Sequence, residues 1–166
     1  MVSVMSSSDP YKRLRPQPAT SPDEICACTE QPPVILRSVL SPNPIACFAC
    51  NLEVPPERLG FPRQLAEAIA AWASFHDCFY LLWLDSAEFE EWAKAQLESP
   101  TSPVNRRGLG VASELNQHRK CYYWWFATCD ESYVPPDSCL LCGGQLGSSP
   151  RGRVCQSCRV IFADQP

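Results

Sequence analysis

The chemistry of this chain is concentrated in its cysteines, which number 11 among 166 residues. Two residues separate Cys139 from Cys142, and Cys155 and Cys158 repeat that spacing after a gap of twelve residues. A two-residue gap lets both thiolates of a pair turn toward one Zn²⁺ ion, which takes four ligands in a tetrahedron. The pattern predicts a zinc ribbon that binds one ion through these four cysteines. The alternative is a pair of redox-active C-x-x-C motifs, which the glycine-rich surroundings disfavour.

A second set of cysteines lies nearer the start of the chain. Cys26 and Cys28 form a C-x-C pair, and Cys47 and Cys50 follow as a C-x2-C pair. Such half-sites can also chelate zinc, so we expect a second four-cysteine site and two Zn²⁺ ions in all. Two other interpretations remain open: other ligands share the site, or these residues are plain buried thiols.

The three remaining cysteines, Cys78, Cys121 and Cys129, are assigned no ligand role. An odd number of cysteines in a chain without a recognisable signal peptide argues against a disulfide framework and for metal binding. Cys78 and Cys121 each begin an apolar run, so we expect both to be small buried side chains.

The sequence contains none of the common catalytic motifs. No P-loop, dinucleotide-binding glycine motif, G-x-S-x-G elbow or H-E-x-x-H helix occurs. His76 and His118 are the only histidines, and neither belongs to a nucleophile–base pattern. A closed shell of four thiolates leaves no coordination position for water or substrate, so both zinc ions are expected to be structural. We therefore expect a protein that is not an enzyme and has no small-molecule substrate.

Short strands and a few helices must position these cysteines. After Pro62, Leu65, Ile69, Trp72 and His76 recur at helical spacing. The other predicted elements are strands over residues 34–40, 78–84, 121–127 and 159–162, a helix capped by Asp85 or Ser86 and ended by Ser99-Pro100, and a helix over 103–118.

These elements predict an α+β fold, a small sheet with about three helices, flanked by two four-cysteine modules that resemble zinc ribbons. We divide the chain into a disordered, proline- and serine-rich tail (1–23), a first zinc-ribbon-like module (24–56), an α+β core (57–132) and a C-terminal zinc ribbon (133–166).

Charge and hydropathy exclude two broad classes. The formal net charge is −4 and the isoelectric point is about 5.2, which excludes a strongly basic surface over the whole chain. The sequence has no continuous apolar run of the roughly 18 residues that a membrane-spanning helix needs. The first residues lack a basic and then apolar leader, so a cytoplasmic location and no membrane partner are expected.

Several short motifs occur in order between residues 24 and 162. They are Cys26-Ala27-Cys28, Ser41-Pro42, Cys47-x-x-Cys50 with Val54-Pro55, Gly110 leading to Glu114-Leu115, Tyr122-Tyr123-Trp124-Trp125-Phe126, and Cys139-x-x-Cys142-Gly143-Gly144 with Cys155-x-x-Cys158-Arg159. As an ordered set, they resemble a family of uncharacterised bacterial zinc-ribbon proteins for which nucleic-acid binding has been suggested. The resemblance implies two zinc-binding cysteine sets flanking an α+β core. Family members carry a longer region before the first cysteine pair, where this chain has a short proline-rich tail.

Two kinds of partner fit the sequence. Ribbon hairpins can present basic residues to phosphates, and Arg151, Arg153 and Arg159 lie between or just after the cysteines of the ribbon. These arginines are the candidate nucleic-acid contacts. Against them, residues 53–98 carry a net charge of −6, which repels phosphate.

The alternative partner is another protein, with this chain acting as an adaptor or inhibitor through its acidic and aromatic core. The segment Glu88-Phe89-Glu90-Glu91-Trp92 would suit a basic partner. A simpler interpretation is that these charges form the solvated outer face of a helix.

Overall fold

A computed structural model describes residues 9–38, 40–128, 130 and 133–164. Its centre is a sheet of six short strands in the order β2-β1-β3-β6-β5-β4. The strands are β1 (Val34–Leu36), β2 (Ile45–Cys47), β3 (Cys121–Trp124), β4 (Gly147–Ser149), β5 (Gly152–Cys155) and β6 (Val160–Phe162). The helices are α1 (Arg63–Asp85), α2 (Glu90–Glu98) and α3 (Pro103–Leu115). The mixture of helices with one sheet confirms the predicted α+β class.

The sheet joins parts of the chain that are far apart in sequence. Its three central strands, β1, β3 and β6, run parallel, while β2 and β5 pair with their neighbours in antiparallel fashion. Strands from the first cysteine module, the helical region and the C-terminal ribbon therefore hydrogen-bond into a single sheet.

The helices cover one face of this sheet. Because side chains alternate across a strand, Val34, Leu36 and Tyr123 point toward α1 and α3, where they join the main hydrophobic core. Ile35 and Tyr122 point to the other face, where they form a smaller cluster. Four of the eight cysteines in the predicted metal sites lie in the main core: Cys26, Cys47, Cys139 and Cys155.

The connection between helices and sheet depends on Asn105, which is buried in the first turn of α3. Its side-chain amide donates to the carbonyl oxygens of Leu97 and Ser99, at 2.8 and 2.9 Å, at the end of α2. Its Oδ1 accepts a hydrogen bond from the Tyr123 hydroxyl at 2.9 Å. The N-cap residue Ser102 completes this end of α3 by accepting from the Asn105 backbone N–H.

The strand predicted over residues 78–84 is wrong, since this segment continues α1 to Asp85. An uninterrupted apolar run cannot distinguish a buried strand from a helix. Here the helical spacing that starts at Leu65 continues through His76 to Tyr80 and Trp83, and no glycine or proline interrupts it. No helix in the part of the chain described by the structure is both long enough and apolar enough to cross a membrane.

The disorder predicted for residues 1–23 does not hold for residues 9–23. A short 3₁₀ helix, Lys12–Leu14, packs on α1, and the Leu14 side chain is only 1% exposed. Tyr11 stacks edge-on against Phe61 and donates its hydroxyl to the Phe61 carbonyl at 2.9 Å. Two apolar anchors, together with ion pairs from Arg13 to Glu67 and from Arg15 to Glu57, thus hold a proline-rich segment that composition alone marks as disordered. Residues 1–8 lie outside the described part.

Candidate metal centres

The first candidate metal centre is formed by Cys26, Cys28, Cys47 and Cys50, whose sulfur atoms all lie within 4.8 Å of one another. Cys47 ends β2, and the chain then turns so that the Asn51 N–H bonds back to the Cys47 carbonyl at 2.8 Å. The N–H of Cys26 bonds to the Glu53 carbonyl at 2.8 Å. That bond holds the C-x-C pair beside the C-x2-C turn. The two pairs predicted from spacing therefore form one group of four cysteines.

The second candidate metal centre is formed by Cys139, Cys142, Cys155 and Cys158, also within 4.8 Å of one another. Cys155 ends β5, and Cys158 lies in the turn between β5 and β6. The other pair lies in a turn closed by the Gly143 N–H on the Cys139 carbonyl at 2.8 Å. Gly143 has φ +68°, a conformation that favours glycine, as the sequence leads one to expect after a metal-binding pair.

The spacing of the sulfurs fits a tetrahedral metal ion. Cys142 Sγ and Cys155 Sγ are 3.7 Å apart. Four thiolates around Zn²⁺, each at about 2.3 Å, lie about 3.8 Å from one another by tetrahedral geometry. A disulfide needs only about 2.05 Å, so the described thiols are free and arranged around a shared centre. Each quartet could hold a metal ion.

Backbone N–H groups turn toward the sulfurs in both centres. Those of Leu141 and Cys158 approach the sulfurs of Cys139 and Cys155, each at 3.4 Å. Burial by itself raises the pKa of the Cys26 thiol, but the Cys28 N–H and the neighbouring thiols outweigh it and lower that pKa to about 7. In the second centre, the Gly144 N–H lowers the pKa of Cys142. Such donors favour the thiolate form that binds metal, whereas burial raises the thiol pKa of Cys47 and of Cys139 in the same quartets.

Both centres lie at the same end of the sheet. Cys47 pairs with Val34, the first residue of β1, and Cys155 pairs with Val160, the first residue of β6. The parallel strands β1, β3 and β6 all begin at this end, so the metal-binding turns stand on either side of the start of β3.

Three arginines surround the first centre and donate to its outward-facing carbonyl groups. Arg58 donates to the carbonyls of Cys26 and Cys28. Arg151 reaches across from the β4–β5 turn and donates to those of Phe48, at 2.8 Å, and Ala49.

The third arginine, Arg37, donates to the Asn51 carbonyl at 3.2 Å. Burial, and then repulsion from Arg151, lowers the pKa of Arg37. Spacing rules did not identify Arg37 or Arg58, because each acts on backbone atoms 14 or more positions away.

The three arginines predicted as nucleic-acid contacts all have partners within the chain. Arg151 holds the first cysteine turn, as described. Arg153 donates to the Pro136 carbonyl at 3.1 Å and lies 3.5 Å from carboxylates of both Asp137 and Asp164. Arg159 donates to the Asn116 side-chain oxygen. Each of the three arginines therefore contacts a different part of the chain.

The cysteines outside the two quartets are not brought to either centre. Cys121 is buried at the start of β3, and burial raises its thiol pKa to about 12. Cys78, expected to be buried, is instead exposed on α1, because the segment is helical and its side chain points away from the sheet. Cys129 lies outside the described residues.

Neither histidine contributes to a centre. His76 is buried beside Trp72, with ring centroids 5.5 Å apart, and burial lowers its pKa to about 4. His118 packs edge-on toward Phe61.

Comparison with protein-family models, with curated proteins and with solved structures finds no match to this chain. The resemblance to bacterial zinc-ribbon proteins therefore stays a prediction from its motifs, and functional inference depends on the geometry of the chain itself.

Proposed function

We propose that this chain is a non-catalytic zinc protein in which two structural Zn²⁺ ions fix the turns at one end of a single sheet and so hold a surface for binding another macromolecule. The observation that carries the proposal is that each quartet brings four sulfurs within 4.8 Å of one another, with Cys142 Sγ and Cys155 Sγ at the spacing expected of a tetrahedral site. Four thiolates fill the coordination shell of zinc, so the ion cannot activate water. Zinc is favoured among metals because thiolate sets of this geometry are typical of its structural sites.

Charge balance supports a metal-loaded first centre. Zn²⁺ with four thiolates carries a net charge of −2, and hydrogen bonds around such a centre orient the ligands and tune the metal. Arg37, Arg58 and Arg151 place three positive charges on the outer side of the cysteine turns. Arg37 and Arg151 are half-buried, and burying a charge is costly unless an opposite charge compensates it, which a centre of net charge −2 would supply.

Single cysteine variants test the two ions separately by native mass spectrometry. Cys50→Ser and Cys142→Ser should each lower the zinc content from two ions to one, because each removes one ligand of a different centre. Cys78→Ser is the matched control, since Cys78 is exposed and outside both quartets. The proposal fails if Cys50→Ser or Cys142→Ser keeps both ions at the occupancy of the control.

Binding of a protein partner is the activity that the surface favours most. The exposed apolar side chains include Leu81, Leu84 and Trp92 on α1 and α2. Large exposed apolar groups bordered by charge are typical of interaction sites.

Association with nucleic acid is the second candidate, and the observation favouring it is the group of three arginines around the first centre, Arg37, Arg58 and Arg151. A salt titration with a fluorescent single-stranded DNA separates it from protein binding. Phosphate binding should weaken steeply as salt rises, with a slope near −0.7 per contact on a single strand. Absence of binding at low salt would remove this candidate and leave the zinc sites untouched.

A further inference from the structure

The last turns of α1 carry apolar side chains that the fold does not bury. Residues 77–85 include five large apolar or aromatic side chains between Tyr80 and Leu84, and no residue of this segment is buried. Leu81 is 53% exposed and Leu84 is 54% exposed. Tyr80 and Trp83 continue the helical stripe that buries Leu65 and Ile69, and both pack against Phe126. Leu81 projects from the opposite side of α1, so its exposed apolar side chain is not part of the core-facing stripe.

Helix α2 extends this exposed region. Trp92 packs on Phe79 with ring centroids 5.5 Å apart, yet it remains 52% exposed. Phe89, just before α2, is exposed as well. We define the α1–α2 apolar surface as Leu81, Leu82, Leu84, Phe89 and Trp92.

Acidic side chains dominate the region around the α1–α2 apolar surface. Residues 77–98 contain six carboxylates and one lysine, a net charge of −5. Asp85, Glu88 and Glu91 are exposed. The nearby cations are already engaged: Lys94 lies 4.0 Å from Glu98, and the Arg107 guanidinium lies over the Phe75 ring. An occupant of this surface must therefore combine apolar groups with positive charge.

We propose that the α1–α2 apolar surface is the docking site for a basic amphipathic segment of a partner protein, a helix with leucine-like residues on one face and lysine or arginine along its edges. The docking proposal rests on the proposed function, in which the chain binds another macromolecule. A second copy of the chain would set one acidic region against another. Phosphates of nucleic acid and an anionic membrane are repelled by the same carboxylates.

The probe for the test is a fluorescein-labelled 14-residue peptide of leucine and lysine in helical spacing, with a control peptide in which every lysine is glutamate. Fluorescence anisotropy with the full chain should show saturable binding of the lysine peptide at physiological salt and no binding of the glutamate peptide. In ¹H–¹⁵N spectra, the amides of residues 77–92 should shift most on binding.

Two pairs of variants separate this surface from non-specific attraction to an acidic protein. The double variant Leu81→Ser, Leu84→Ser keeps every charge and should weaken binding of the peptide about tenfold or more. Val134→Ser, at another highly exposed apolar position, should leave the affinity within about twofold. Glu91→Lys should weaken binding, whereas Glu114→Lys, also exposed on a helix, should weaken it less.

The docking proposal is overturned if the lysine peptide does not bind, if both peptides bind alike, or if the leucine variants bind as wild type. It is also overturned if sedimentation shows a dimer that the leucine variants dissociate, because a second copy is then the occupant. Zinc content is measured on the same samples. Loss of peptide binding with two ions present refutes only the docking site, whereas absence of zinc refutes the proposed function.

Discussion

Arg151 Nε lies 2.8 Å from the carbonyl oxygen of Phe48, although the two residues are 103 positions apart in the sequence. Phe48 lies inside the Cys47–Cys50 turn, and Arg151 lies in the β4–β5 turn of the C-terminal ribbon. The contact therefore links the two cysteine modules directly. It also orients the Phe48 peptide group with its oxygen toward the arginine, on the outer side of the turn that carries Cys47 and Cys50.

This contact predicts that Arg151→Gln weakens zinc binding at the first centre. Removing a hydrogen-bond partner of this kind around a metal centre typically lowers affinity by about 10-fold to 100-fold. Competition with a chromogenic chelator should show one of the two ions leaving more readily than in wild type. Arg13→Gln is the matched control, since Arg13 pairs with Glu67 at the surface, away from both centres. Equal retention of both ions in the two variants would show that Arg151 does not support the centre.

The close approach of α3 to β3 predicts opposite effects for two neighbouring glycines. A methyl group on Gly108 would lie 2.4 Å from the Tyr123 ring and 2.6 Å from the Trp72 indole nitrogen. Gly108→Ala should therefore destabilise the protein by roughly 2 kcal/mol despite the better helix propensity of alanine.

Gly110→Ala is the matched control for Gly108→Ala. A methyl group at Gly110 meets nothing within 4 Å, so this change should stabilise by about 0.5–1 kcal/mol. Urea unfolding of both variants in zinc-containing buffer gives the comparison. A stabilised Gly108→Ala would contradict the packing described here.

Metal removal should open the C-terminal ribbon before the rest of the fold. Cys142 is exposed, and the segment around it contributes few large buried side chains of its own, so its folding is tied to metal binding. After chelation, trypsin should cut first at Arg151, Arg153 or Arg159, and mass spectrometry of the fragments identifies the site. Initial cleavage within α1 or α3 instead would show that the helical layer depends on zinc more than the ribbon does.

Buried His76 predicts a pH dependence of stability. Its pKa is lowered by burial to about 4, from an ordinary value near 6.5. Between these values the unfolded chain binds a proton that the folded chain does not, so the free energy of unfolding falls as the pH falls. From pH 7.5 to 5.5 this loss amounts to about 1 kcal/mol.

Comparison with His76→Leu isolates this contribution, because both proteins keep the same cysteine centres. Urea unfolding at the two pH values should show a fall about 1 kcal/mol smaller in the variant than in wild type. An equal fall in both proteins would mean that His76 is not neutral in the folded state.

The cysteine quartets could be predicted from sequence because their geometry is local. A two-residue gap keeps two thiols close together whatever the fold of the rest of the chain. Cys139 and Cys142 therefore need only one more such pair to complete a four-ligand site. The pairing of β1 with β3 could not be predicted in this way. It joins Val34 to Cys121 through parallel hydrogen bonds, and no turn motif marks such a connection.

The error over residues 78–84 has a different origin. A continuous apolar run predicts burial, whereas Leu81 and Leu84 are exposed on a helix, so their hydrophobicity does not serve the core. A mismatch between local pattern and burial of this kind is what the proposed docking site would produce. The arginine contacts to the first centre escaped prediction because they act on backbone oxygens, which sequence spacing does not reveal.

Elemental analysis of the full-length protein, purified without added metal, tests the central claim most directly. The account predicts two zinc ions per chain, together with eight thiols that become reactive only after chelation. A folded protein with no bound metal, or one whose paired cysteines are joined as disulfides, would contradict it.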